Sequence, residues 1–480
     1  MIITVLKAVL EVEPGWAIGA ADERNLDVDR DLLTDRDGNP WVPASSLAGS
    51  LRAHLAQSGG ADIELMGDRP PDGPGQENPA ASLLWVLGTT VTAASGPRRP
   101  PRTQIVTSTA VDPQRRAARA KSLRTSRIVD EPTVIELYLE AREPFDARRL
   151  DLLAGWRPWV GRDRTRGGGA ARLRTLGYRL YDLDDADDLM AWLSTSGPER
   201  FTGLTEVPIT AAVPTAVIDT TLRIVDALHI GTGSIDAVEE RKTALTRTRD
   251  GRPLIPGSSW KGLFRARAGY ILRSVWGEEA ACTSHTGCSD CALCSLFGSQ
   301  RRRGRLVFSD SPVDTTQRRL LDPAAPSSPS PAAARVVPSA PGTKAPARPT
   351  PLSIAPRRIA PAAAKVAPTT GTAGQAPSIP SRIHVAIDRI TGGARDKMLY
   401  AEEIVTSGSF TLKITPLDRI EDWERNLLLH VVRDLNDGLI GVGKGAQRGQ
   451  GTVALTADSL TLLEQIHPVP PSLPTKEAQP

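Results

Sequence analysis

Alternating apolar and polar positions open the chain. Ile3, Val5 and their neighbours follow a period of two, and the pattern returns at Leu222 and Ile224. Such alternation predicts a half-buried strand. In both places a loop follows, then an amphipathic stretch: Leu47 to Gln57 in the first, Trp260 to Val275 in the second. Ser45 or Ser46, and Ser258 or Ser259, stand where a helix N-cap is expected. Strand-like runs come later, at Val134 to Leu139 and at Phe410 to Ile414. Strands and helices thus alternate in a short α+β unit that is written twice.

The polar punctuation repeats as well. Asp37-Gly38-Asn39-Pro40 leads to Pro43-Ala44-Ser45-Ser46 and on to Arg52; Asp250-Gly251-Arg252-Pro253 leads to Pro256-Gly257-Ser258-Ser259 and on to Arg265, always 213 positions downstream. A second echo sits 282 positions apart. Val160-Gly161 with Arg166-Gly167-Gly168-Gly169 returns as Val442-Gly443 with Arg448-Gly449-Gln450-Gly451. A domain-sized repeat implies tandem domains and not a solenoid. We place domain 1 at 1–194, a linker at 195–213 and domain 2 at 214–463. The longer second copy has an obvious source of extra residues. From about 312 to 380 the chain is mostly Pro, Ala, Ser and Thr. Such a segment buries too little apolar surface to offset its ordering entropy, so a disordered insertion is expected there, as for the tail at 464–480.

Composition narrows the function. No apolar run approaches the ~20 residues of a membrane helix. The start lacks a basic segment followed by a long apolar one. A cytoplasmic protein without membrane contact is the expectation. The net charge is only +4, but cations cluster, around Arg98 to Arg127 and again at Arg301, Arg302, Arg303 and Arg305. Clusters of this kind can follow a phosphate backbone. Aromatic content is 4%, which favours sugar and phosphate contacts over base stacking. The glycine-rich loops point the same way, because glycine lets backbone N–H groups approach a phosphate. Lys444 and Arg448 flank one loop, Arg162 and Arg166 the other. The serine turn adds two hydroxyls and Lys261 at a helix N-terminus, where anions bind readily.

All four cysteines sit together: Cys282, Cys288, Cys291 and Cys294, with His285 among them. In a chain without secretory signals this spacing favours zinc over disulfides. Four thiolates, or three with His285, would close a tetrahedral structural site.

Taken together, these residues resemble the RAMP (repeat-associated mysterious protein) superfamily. They are a glycine after the first strand, a variable acidic loop, the turn Ile255-Pro256-Gly257-Ser258-Ser259 with Lys261-Gly262 and Arg265, and a late glycine-rich loop. The stretch Ile387-Asp388-Arg389-Ile390-Thr391-Gly392-Gly393, followed by Leu399 to Val405, is similar to the thumb of backbone subunits in type III CRISPR effectors. The resemblance implies two RRM-like (ferredoxin-like) domains with thumbs, as in the fused backbone subunits of type III-D systems. It implies guide CRISPR RNA, target RNA and other type III effector subunits as partners. RNA contacts then fall to Ser45, Ser46, Arg52, Arg162, Arg166, Gly167, Gly168, Ser258, Ser259, Lys261, Arg265, Arg389, Lys444, Arg448 and Gly449.

In that family a loop aspartate upstream of the serine turn supports Mg²⁺-dependent target cleavage. Asp29 is the best match and Asp27 the second. Moving 213 positions on, Asp29 meets Lys242 and Asp27 meets Glu240. Domain 2 therefore lacks the acid, although Asp236, Glu239 or Glu240 could substitute. Two other functions stay open. The chain could be a purely structural guide-RNA-binding subunit. It could also be a guide-processing endoribonuclease; that chemistry often uses histidine, and none of the six histidines lies in the matched loops.

Overall fold

The computed structural model describes residues 1–20, 28–68, 80–112, 117–236, 242–248, 250–284, 287–288, 290–315, 380–388 and 390–468. The expected insertion from 316 to 379, and the tail from 469, lie outside them.

The first half runs β1 (Ile2–Val12), α1 (Ala44–Gln57), α2 (Ala61–Met66), β2 (Leu84–Ala93), β3 (Thr103–Ser108), β4 (Val111–Asp112), β5 (Ala117–Ala118), β6 (Arg124–Val129), β7 (Thr133–Ala141), α3 (Ala147–Ala154), β8 (Ala171–Asp182), α4 (Ala186–Ser194) and β9 (Thr205–Val207). An antiparallel sheet of order β2-β7-β1-β8-β9 carries the fold. Leu47, Leu51 and Leu55 of α1, four residues apart, are fully buried against it. Burying each contributes about 1.5–3 kcal/mol. The expected linker is part of this half. Phe201 closes the sheet's other face over Ile3, Val5, Tyr138 and Tyr181, and β9 pairs with β8. Its apolar residues, Phe201 and Val207, find a sheet face and a sheet edge to cover.

The second half runs β10 (Ile218–Ile224), β11 (Gly231–Asp236), β12 (Lys242–Leu245), β13 (Leu254–Ile255), α5 (Gly257–Trp276), α6 (Ala292–Phe297), β14 (Leu306–Phe308), β15 (Ser311–Pro312), β16 (Ser381–Ile387), β17 (Ala394–Glu403), β18 (Ser409–Pro416), α7 (Asp422–Asn436) and β19 (Val453–Leu455). Its main sheet has the order β14-β18-β10-β19. Trp260, Phe264, Ala268 and Leu272 of α5 form the buried stripe. The expected insertion begins later than its composition suggested: β15 pairs with β13, and Asp314 bridges Ser409. The tail begins later too, since the His467 carbonyl accepts from Asn426 Nδ2 of α7 at 2.6 Å. The whole is α+β with antiparallel main sheets, compatible with a ferredoxin-like core.

Both serine turns differ from the expected caps. The N-caps are Pro43 and Pro256, and neither of these residues offers a side-chain cap. Proline has no N–H to lose and its fixed φ suits an extended residue at a helix start. The serines fall inside the first turn. Asp310 does the capping for α5 from elsewhere in the chain, its Oδ1 accepting the Gly257 N–H at 2.7 Å.

The glycine-rich loops rest on left-handed glycines in close backbone contact. Gly449 has φ +78° with open space around it, whereas Gly451, also at +78°, would press a Cβ into the Val442 backbone. We expect Gly451→Ala to destabilise the second half clearly more than Gly449→Ala. The latter should cost only the left-handed penalty of about 1–2 kcal/mol. Denaturant unfolding of the two variants checks this.

Candidate functional site

The acidic strand and its neighbour come first. Residues 28–32 lie along β6, with Arg30 bridging Ser126 in parallel. In the second half β12 lies parallel to β17, with Thr243 opposite Glu402. Arg30 and Thr243 are 213 positions apart, and Ser126 and Glu402 are 276 apart. The adjoining hairpins keep the same register: Ile105 pairs with Arg127, and Ser381 with Glu403. Asp29 and Lys242 therefore occupy equivalent backbone positions, in keeping with the 213-position offset.

Asp29 is exposed. Its Oδ2 accepts the Thr125 N–H at 2.7 Å and the Thr125 hydroxyl at 3.1 Å. These bonds, helped by Arg124 and Arg30, hold its carboxyl below the usual range. Asp31 pairs with Arg127 Nε at 2.8 Å. The acidic strand is thus clamped to β6 by its own carboxylates. At the equivalent of Thr125 the second half has Ala401, so the acid and its clamp are missing together. Asp236 ends β11 opposite Lys242. Asp27, Glu239, Glu240, Arg389 and His285 lie outside the described residues.

The two glycine-rich loops repeat bond for bond. Val160 N–H donates to the Gly169 carbonyl at 3.0 Å, and Val442 N–H to that of Gly451 at 2.9 Å. Arg162 N–H donates to Ala17 at 2.9 Å; Lys444 N–H donates to His229 at 2.8 Å. Arg166 and Arg448 each close a single turn, on the Asp163 and Gly445 carbonyls, at 2.7 Å. The backbone is the same, but the side chains differ in employment. Arg162 is half-buried, and burial lowers its affinity for its proton. Arg166 pairs loosely with Asp163 at 3.3 Å. Lys444 holds Glu402. Arg448 and Gly449 are exposed.

The first loop also meets the second serine turn. Gly167 packs on the Phe308 carbonyl, Gly168 on Gly15, and Gly257 leaves room for the Arg166 carbonyl. Lys261 Nζ reaches across to Thr165 Oγ1 at 2.6 Å. Burial, then Arg166 and Arg265, pull its pKa down to about 8. Arg164 is buried here as well and pushed down to about 10. Lys261 therefore serves the seam between the halves. Two more expected RNA contacts are turned inward. Arg52 holds the Met66 and Gly67 carbonyls at the end of α2. Arg265 holds the Gly298 carbonyl at 2.6 Å and Cys294 Sγ at 3.3 Å. Ser45, Ser46 and Ser258 are exposed and Ser259 is partly so.

The cysteine cluster closes as expected. The sulfurs of Cys282, Cys288, Cys291 and Cys294 all lie within 4.8 Å of one another. A tetrahedral zinc with Zn–S near 2.3 Å needs sulfurs roughly 3.8 Å apart, so the set is compatible with one. The surroundings suit thiolates: Cys291 N–H points at Cys288 Sγ, Cys294 N–H at Cys291 Sγ, and Arg265 at Cys294 Sγ. Burial pushes the Cys291 thiol up to about 12, a cost that a bound cation reverses.

Residues 221–454 match the family model of the RAMP superfamily. The match supports RAMP membership and spans β10 to β19, including the serine turn, the cysteine cluster and the second glycine-rich loop. No curated protein matches the chain. Among the described residues, no helix is long and apolar enough to cross a membrane.

Sequence reasoning missed two features of the site. Thr125 clamps Asp29, but no sequence motif marks the 276-residue offset that relates the hairpins. Glu402, His229 and His384 gather beneath Lys444, yet they stand far apart in the chain and only strand pairing joins them.

Lys261 generates a pH prediction. Its folded pKa, about 8, lies below the ordinary 10.5. Between those values the unfolded chain binds the proton and the folded chain does not, so stability rises with pH across that window. We expect this rise in the wild type from about pH 8 to 10 and its absence in Lys261→Met. Unfolding midpoints of both proteins against pH check it.

Proposed function

We propose that the chain is a double backbone subunit of a type III CRISPR effector. On this reading its two halves are tandem RAMP domains that hold guide RNA through sugar and phosphate contacts. The acidic loop of domain 1 cleaves complementary target RNA once. The RAMP match suggests a CRISPR-associated, RNA-binding role. The observation that supports the finer reading is the shared register of the acidic strand in the first half and β12 in the second. It supports one exposed carboxylate, Asp29, and a lysine at the equivalent place in domain 2. Exposed Arg448, Ser45, Ser46 and Ser258 offer donors to an RNA backbone.

Cleavage here is attack by a ribose 2′-OH on the adjacent phosphorus. The P–O5′ bond breaks, leaving a 2′,3′-cyclic phosphate and a 5′-OH. A kinked backbone brings the attacking oxygen in line with the leaving one. Asp29, fixed on Thr125, orients that hydroxyl. Among the described residues the cysteine cluster is the only group of three or more potential metal ligands, so no step is drawn through Mg²⁺. The four cysteines would hold zinc as a structural ion, tying the start of α6 to the segment after α5.

One observation favours a non-cleaving subunit. The Asp29 carboxylate already serves Thr125, as a purely structural acid would. The replacement Asp29→Asn keeps an acceptor for Thr125 and removes the charge. We expect both Asp29→Asn and Asp29→Ala, in the assembled complex, to lose one target-RNA product while guide binding persists. The triple variant Asp236→Ala, Glu239→Ala, Glu240→Ala should keep every product. Full cleavage by Asp29→Asn would instead make this acid structural.

We further expect about one zinc per chain by elemental analysis of protein purified without chelator. Cys294→Ser should lose the metal and unfold the second half at lower denaturant, since structural zinc contributes folding energy directly.

A further inference from the structure

Glu402 is fully buried on β17. A buried carboxylate must be paired, and losing its partner is strongly destabilising. Its partner is Lys444, whose ammonium reaches in from the glycine-rich loop with about half its side chain exposed. The other groups facing Glu402 are imidazoles. His384 of β16 puts Nε2 at 3.4 Å from Glu402 Oε2, with 20% of its side chain exposed. Neither atom has a hydrogen-bond partner among the described residues. His229, from the segment after β10, also acts on the charge of Glu402. It sits deeper, and its Nδ1 is committed to the Glu403 carbonyl at 2.6 Å. Tyr400 on β17 stacks on His384 with centroids 5.2 Å apart and lies 5.6 Å under the Lys444 ammonium.

The fold does not require this cluster. At the equivalent positions the first half has Ser126 for Glu402, Ser108 for His384, Ala17 for His229 and Arg162 for Lys444. The same backbone there closes without a carboxylate. In the second half, then, one buried acid has two bases within reach. One is an ammonium. The other is an imidazole, a neutral base that becomes a cation on taking a proton.

We propose that Glu402 exchanges partners. When His384 takes a proton, the imidazolium holds the carboxylate, and Lys444 is released to a phosphate of single-stranded RNA on the glycine-rich loop. Lys444 is thus a latch between that loop and the β16–β17 hairpin. Opening it takes up one proton. The RNA arm rests on the RNA-binding reading given above; the exchange itself does not.

Thermal unfolding tests the exchange without RNA. Lys444→Gln should lower the transition on the order of 5 °C at pH 8 and much less at pH 5.5, where His384 can replace the lysine. In the double variant Lys444→Gln, His384→Gln that low-pH rescue should vanish. A rescue that survives without His384 means Glu402 simply protonates, and the exchange is overturned. An equal loss at both pH values overturns it too. The second measurement is binding of a labelled 20-nucleotide single-stranded RNA to the full chain. Affinity should rise several-fold more between pH 8 and 6 in the wild type than in His384→Gln. Identical pH profiles overturn the release of Lys444. No binding at either pH overturns the release and the RNA-binding reading together, while the melting series still decides the exchange.

Discussion

A backbone approach that only glycine permits fixes both halves of this protein. Gly161 lies against the Ala17 carbonyl and Gly443 against that of His229, each with φ near +80°. A Cβ at either place would enter the opposing backbone, and the left-handed conformation itself disfavours other residues. The contact joins the late loop to the segment that leaves the first strand. Arg162 and Lys444 are placed by it, because each follows the glycine and donates its N–H to the same carbonyl. So are the single turns closed by Arg166 and Arg448. The cations reach their stations through backbone geometry and not through side-chain packing.

On that shared frame the halves have diverged as sets of residues, not singly. Where the first half has Asp29 and Thr125, the second has Lys242 and Ala401. Where the first has Ser126, Ser108 and Ala17 beside Arg162, the second has Glu402, His384 and His229 beside Lys444. A buried glutamate is costly without a cation, so Glu402 and Lys444 depend on each other. An exposed aspartate needs no such partner, and its hydroxyl clamp sets its orientation instead. The two substitution sets follow two physical rules, burial in one half and positioning in the other.

Much of this was legible in the sequence. The period-two strands, the leucine stripe of α1, the cysteine spacing and both repeat offsets all come from local pattern, and the structure keeps them. The equivalence of Asp29 and Lys242 was legible too, because no residue is inserted between the acidic strand and the serine turn in either half. What escaped was set by distant partners. Lys261, Arg52 and Arg265 read as free cations beside an anion-binding turn, yet each is consumed by a carbonyl, a hydroxyl or a sulfur elsewhere in the chain. The serines read as caps, but proline took that position and Asp310 supplied the acceptor. The segment from 195 to 213 read as linker, because its few apolar residues carry no period and become core only when a sheet face and edge receive them.

The seam between the halves explains why the two glycine-rich loops no longer match at their tips. In the first loop Gly168 sits where any side chain would strike the Gly15 carbonyl, and its neighbour Gly167 presses on Phe308 of the second half. That loop is enclosed on both sides, so three successive glycines are what the space allows. The tip of the second loop meets no such neighbour among the described residues. Gly449 faces open space, and at the place of Gly168 stands Gln450, a buried residue that folds back on Gly445. A side chain now fills the room that a neighbouring backbone occupies in the first loop. Arg448 is left exposed at its rim, and Lys444 is turned inward to Glu402. The loop that packs against protein has kept its backbone bare. The loop that faces solvent has kept its exposed cation and acquired a latch.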